Sequence, residues 1–226
     1  MLSKRTLERV AGVLFIVMAV AFAVSIATHV GIDFDRADIG ESLREVIDDQ
    51  ALFVTSEAFW LVGSLLLVVA AAASYLVFRS RDSGLALFGL VGFLSGAMAF
   101  AVGEFAKFGL LFLAHDYVDA WADTGAIAST ARAVGILGGT AWITGLTLLG
   151  AGIVPIGVLI VRSRAAPSWM GWWAVGSGVL LFTAWGVFSD SDVALIFPAI
   201  GGIAALLFFL AMGIQLLWHG VPEESA

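Results

Sequence analysis

The sequence predicts an all-α, polytopic membrane protein: six transmembrane helices in a single domain over residues 1–226, with an internal repeat of helical hairpins in spans 2–3 and 4–5. Three observations carry this. Hydrophobic residues make up 61% of the chain and charged ones 13%, with a mean hydropathy of +1.02. Soluble domains carry roughly a quarter charged residues, so lipid must solvate most of this surface. Six apolar segments, 8–30, 51–78, 84–114, 131–161, 169–188 and 193–218, each reach the length of about 20 residues that a helix needs to cross a core of roughly 30 Å. Finally, the segments are separated by short polar breaks whose charge alternates in sign. Transmembrane strands are excluded, because the runs are far too long and lack alternation.

Threading the six spans alternately puts Lys4, Arg5, Arg9, Arg79, Arg81, Arg162 and Arg164 on one side. Asp33, Asp35, Asp38, Glu41, Glu45, Asp48, Asp49, Asp116, Asp119, Asp123, Asp190 and Asp192 fall on the other. The positive-inside rule then places both termini in the cytoplasm. Span one has a second reading as a secretory signal, from Lys4-Arg5, the apolar run and Ser25-Ile26-Ala27. Its run exceeds a usual signal core, which favours a retained span.

After span one comes the only sizeable loop, 31–50, on the outer side. Ile39, Leu43, Val46 and Ile47 recur at helical spacing, and Asp38 with Glu41 offers a capping box. This predicts a short amphipathic helix, either lying in the interface or acting as a lid. Span three carries Gly92 and Gly96, and span four Gly135 and Gly139, two small-xxx-small pairs that read as packing faces. Pro155 and Pro198 lie within spans four and six, where each removes a backbone donor. Trp169, Trp172, Trp173 and Trp218 form a belt at the basic boundary, with Trp121 at the other.

The hairpin repeat rests on three anchors at nearly constant offset. Phe59-Trp60-Leu61-Val62-Gly63 aligns with Ala141-Trp142-Ile143-Thr144-Gly145, Arg79-Ser80-Arg81 with Arg162-Ser163-Arg164, and Ser95-Gly96 with Ser177-Gly178. Both units run in the same sense, so the repeat axis lies along the membrane normal. Arg162-Ser163 followed by Pro167-Ser168-Trp169-Met170-Gly171 is similar to the Arg-Ser…Leu-Pro-x-Trp-x-Gly loop of a large prokaryotic family of uncharacterised six-helix membrane proteins. The likeness covers spans four and five best, and Ser56-Glu57 more loosely. It implies a six-helix fold in a prokaryotic inner (plasma) membrane and carries no activity.

Glu104 and Lys107 sit one turn apart within span three, and Glu57 lies at similar depth in span two. Ionisable groups in hydrocarbon are costly and mark candidate sites. Glu104 and Lys107 share a helix face and can pair. Two carboxyls and one ammonium leave either a net negative charge or one carboxyl holding a proton. His29, His115 and Arg132 fall in the same outer half, and Trp60 and Trp142 lie deep enough to line a cavity.

With no cysteine, disulfides, thiolate catalysis and Cys-ligated metals are excluded. No cofactor motif, metal set or phosphate loop occurs, and a net charge of −7 does not suit nucleic acid. Gly176-Ser177-Gly178 with His219 fails as a serine-protease pair, since Ser177 is mid-span and His219 lies at a boundary. The leading expectation is a non-enzymatic protein that binds or transports a cation, proton or small amphiphile in an outward-facing polar site. The alternatives are an accessory subunit packed against a partner or another copy of the chain, and a lipid-modifying enzyme using the two carboxyls as acid and base.

Overall fold

The computed structural model describes residues 3–29, 39–119, 123–188 and 192–222, with side chains for all of these except 187–188 and 192–195. The described residues form seven α-helices: α1 (Lys4–Thr28), α2 (Ile39–Asp48), α3 (Gln50–Phe78), α4 (Ser83–Val118), α5 (Thr124–Ser163), α6 (Ser168–Leu181) and α7 (Asp192–Trp218). A 3₁₀ segment, Phe182–Phe188, continues α6. Five helices are long and apolar enough to cross a membrane: α1, α3, α4, α5 and Ile196–Trp218 of α7. The chain is therefore a multi-pass, all-α membrane protein.

Local chemistry sets the helix ends. Ser3 caps α1 by accepting from Thr6 N, and Asp82 caps α4 by accepting from Leu85 N at 3.0 Å. Asp123 caps α5 through bonds from Gly125 N and Ala126 N at 3.0 and 3.2 Å. Such side chains satisfy amide donors that the first turn leaves without helical partners. The Asp123 cap starts α5 at Thr124, earlier than the apolar run at 131 suggests, because helix continues beyond the hydrocarbon-length stretch. Arg164, in the left-handed region at φ 52°, ends α5, and Pro167 precedes α6. Both α5 and α7 continue through their internal prolines.

Each long helix packs on the next in chain order, and α7 returns to α1. The result is a closed ring of α1, α3, α4, α5, α6 with its 3₁₀ extension, and α7. The expected fifth span differs in form, since it is only 14 residues of α-helix followed by seven of 3₁₀. The two hairpins also differ in length, with α3 and α4 at 29 and 36 residues against α5 and α6 at 40 and 14.

Close backbone approach sets the tightest seam. A Cβ on Gly92 of α4 would lie 2.5 Å from Gly152 Cα and 2.9 Å from Ala151 C of α5. Without side chains there, α4 and α5 meet along nearly their whole lengths, as small-residue faces allow in lipid. Gly12 of α1 meets α7 similarly, its Cβ position 2.7 Å from Gly213 O. Toward the middle of the ring the core is solid: Phe15 stacks on Phe209 at 5.7 Å, and Phe93 meets Phe209 edge-on at 5.9 Å.

The basic end is closed by a small polar lock. Arg5 donates to the carbonyls of Leu216, Leu217 and Trp218 at 3.4, 3.3 and 2.8 Å, covering acceptors that α7 leaves open at its C-terminus. Glu8 pairs with Arg5 at 3.4 Å and accepts from Val221 N at 3.3 Å. Gly220, at φ +70°, turns the chain under this pair, and a Cβ there would collide with Arg5 Nη1 and Glu8 Oε2. Gly220→Ala is expected to lower stability by about 1–2 kcal/mol from the left-handed backbone alone. A chemical-denaturation comparison with the wild type checks it.

At the acidic end α2 lies across α3, α4 and α5. Its buried Ile39, Leu43 and Val46 pack with Phe53, Leu110, Ala114 and Ala131. Arg44, on its exposed side, stands over the Tyr117 ring at 5.6 Å. The predicted loop helix is thus ten residues long, and its capping residue Asp38 lies outside the described residues, as does Trp121.

Candidate functional site

Above the aromatic core, toward the acidic end, the ring encloses a cavity of about 620 Å³. A cluster of rings from four helices lines it, Phe22 against Trp60 at 5.0 Å, Trp60 against Phe100 at 5.6 Å, and Trp60 against Trp142 at 5.7 Å, and it reaches past them to Leu149 and Phe209. Phe53 and Leu110, which pack against α2, also line it. Ile26 of α1 and Ile203 of α7 line the cavity and are 51% and 57% exposed, so it opens there at the side of the ring, between α1 and α7.

One wall is polar. Lys107 Nζ donates to Glu57 Oε2 at 2.8 Å and to Glu104 Oε1 at 3.3 Å, bridging α3 and α4. The Glu104 side chain is fully buried, that of Glu57 3% exposed and that of Lys107 20% exposed. Glu57 and Lys107 line the cavity, while Glu104 stands behind them. Glu104 Oε2 and Trp60 Nε1 are buried without a hydrogen-bond partner. Buried polar atoms are seldom left so. With one carboxyl holding a proton the trio is neutral; with both ionised it carries one uncompensated negative charge.

Next to the trio, Ser56 Oγ donates to Ser25 O at 3.1 Å and lies 3.3 Å from Ser25 Oγ, tying α3 to α1. His29, just past the end of α1, lines the cavity above this tie. Burial, then the charge of Lys107, pushes its pKa below the usual 6.5, with Glu57 opposing. A base that protonates less readily in the folded state makes the unfolded state bind more protons, so stability falls as pH drops below about 6.5. Thermal melts of wild type and His29→Asn from pH 8 to 5 are expected to diverge below that point, the variant losing less.

The structure thus brings together Glu57, Glu104, Lys107, His29, Trp60 and Trp142. His115 and Arg132 are exposed and do not line the cavity. Of the phenylalanines beside the predicted site, Phe100 faces inward while Phe105 is 64% exposed. Gly135 and Gly139, expected to form a packing face, line the cavity instead. A Cβ on Gly139 meets nothing within 4 Å, and neither does one on Gly202 of α7 across the chamber. These glycines keep space open rather than bringing helices together. Sequence reasoning missed Ser25, Phe22 and the α7 wall, which carry no motif.

No curated protein and no solved structure matches the chain. A family described as a domain of unknown function, DUF4386, matches residues 10–221. Covering nearly the whole ring, that match makes the chain a member of this uncharacterised family.

Proposed function

We propose that this protein binds, and as a transporter would carry, a small amphiphile or cation in the cavity at the acidic end. The observation that carries the reading is a Lys107 ammonium shared by two buried carboxyls at the wall of a chamber of about 620 Å³. Ligand sites typically occupy about 300–1,000 Å³, mostly apolar with a few convergent polar groups. Glu57 and Glu104 are the titrating or cation-binding groups and Lys107 is their internal counter-ion. The test is a thermal-shift series of wild type and Glu104→Gln across pH, cations and lipids. Preferential stabilisation of the wild type by a ligand supports the reading; equal responses remove its support.

The same proposal includes six spans, with both termini in the cytoplasm of a prokaryote and the cavity facing outward. α6 and its 3₁₀ extension together reach roughly 35 Å at 1.5 and 2.0 Å per residue, enough to cross the hydrocarbon. The basic end then lies inside by the positive-inside rule. Reporter fusions at residues 120 and 190 are expected to read as external, and a cytoplasmic reading at either contradicts the threading. The hairpin repeat belongs here too, supported by the meeting of its matched tryptophans, Trp60 and Trp142.

The accessory-subunit reading has less to rest on, because Gly92 and Gly96 of α4 pack against α5 while Gly135 and Gly139 line the cavity. As for a lipid-modifying enzyme, the serines nearest the carboxyls, Ser25 and Ser56, are bonded to each other and to backbone.

A further inference from the structure

We propose that the ligand of this cavity is an amphiphilic organic cation whose charge sits against Glu57 and the tryptophan faces while its apolar body fills the chamber. This rests on the reading of the cavity as a ligand site and names its chemistry. Charge decides the sign. An anion entering the chamber meets two carboxyls and a single ammonium already engaged by both, at 2.8 and 3.3 Å. A cation meets the Glu57 carboxyl on the lining, an acceptor held by that one ammonium. His29, the other titratable group on the lining, adds no positive charge while neutral.

The aromatic cluster favours the same sign, since ring faces attract cations. Among the described residues the cation–π pair is that of Arg44 with Tyr117 on the outer surface, well away from the cluster. The wall argues against a bare inorganic ion. Hard cations take six or more oxygen ligands, and no group of three or more acidic or histidine side chains arranged for a metal occurs among the described residues. A bare ion would also leave most of the chamber, including the open space beside Gly139 and Gly202, without a partner.

The trio supplies the exchange that binding requires. A cation on Glu57 displaces Lys107 Nζ from Oε2, and Lys107 keeps its bond to Glu104. Glu104 Oε2, buried and unpartnered, offers the second acceptor that the ammonium then takes. Glu57 is therefore the group that touches the ligand, and Glu104 holds the displaced lysine.

Tetraphenylphosphonium and tetraphenylborate are matched in shape and opposite in charge, so they separate the sign of the site from its size. Binding of each to purified protein in lipid nanodiscs is measured by equilibrium dialysis, with protein-free discs subtracted. Tetraphenylphosphonium is expected to bind at least about tenfold tighter than tetraphenylborate, with Glu57→Gln losing roughly that factor, as for removal of one buried charge partner. Gly139→Leu, whose side chain enters free space, is expected to lose binding while keeping the wild-type melting temperature. Equal or tighter binding of the borate overturns the cationic assignment and leaves the cavity reading standing. Failure of both ions to bind above the protein-free discs overturns the cationic assignment and the cavity reading together. Undiminished phosphonium binding in a folded Gly139→Leu overturns the location.

Discussion

Lys107→Met is expected to lower stability by about 3 kcal/mol or more, the scale for removing one partner of a buried ion pair. Lys107 Nζ is the hydrogen-bond donor that both Glu57 and Glu104 share, and the two carboxyl side chains are 3% and 0% exposed. Without it, two buried acids face each other with no counter-charge. Glu104→Gln is expected to cost much less, because the 2.8 Å pair between Lys107 and Glu57 survives as a neutral unit. Chemical denaturation of the two single variants and the double variant in one lipid system measures the difference. Equal losses in both single variants contradict a shared counter-ion.

The second large effect lies far from the trio. Gly92→Val places branched carbons where even a Cβ would stand 2.5 Å from Gly152 Cα. Backbone cannot rotate away as a side-chain tip can, so α4 and α5 must separate along their tightest stretch. Overpacking of this kind typically costs about 1–3 kcal/mol, and a backbone collision belongs at or above the top of that range. Gly139→Ala, on the same pair of helices but facing the cavity, is expected to fall within about 0.5 kcal/mol of wild type. A large contrast between the two separates glycines that pack from glycines that leave room.

That contrast also explains what the sequence could and could not reveal. Length and hydropathy located the long helices, because lipid solvation acts on every residue of a span and leaves a continuous signal. Glu104 and Lys107 were legible for the same reason, as charges within an apolar run with helical spacing. Their meeting with Glu57 depends on how α3 and α4 are rotated against each other, which depth estimates along separate helices do not contain. Gly92 and Gly139 are both members of Gly-xxx-Gly pairs, yet one faces a neighbour's backbone and the other open space. Only the neighbour distinguishes them. The change from α-helix to 3₁₀ at Phe182 left no break in the sequence, since Phe182-Thr183-Ala184-Trp185 holds no charge, glycine or proline. His115 and Arg132 had the correct depth, but depth does not specify the direction in which a side chain points.

The central claim is that the acidic half of the ring holds a chamber reachable from outside. Because the chain has no cysteine, a single introduced thiol reports on its own position alone. Gly139→Cys and Ala71→Cys, the latter 0% exposed in the solid core, are treated with a water-soluble, cationic methanethiosulfonate reagent in sealed membranes. Gly139→Cys is predicted to be modified, more slowly when tetraphenylphosphonium is present, while Ala71→Cys stays inert. If Gly139→Cys is as unreactive as Ala71→Cys, the chamber is closed or filled and the account of this protein as a ligand-binding membrane protein is wrong.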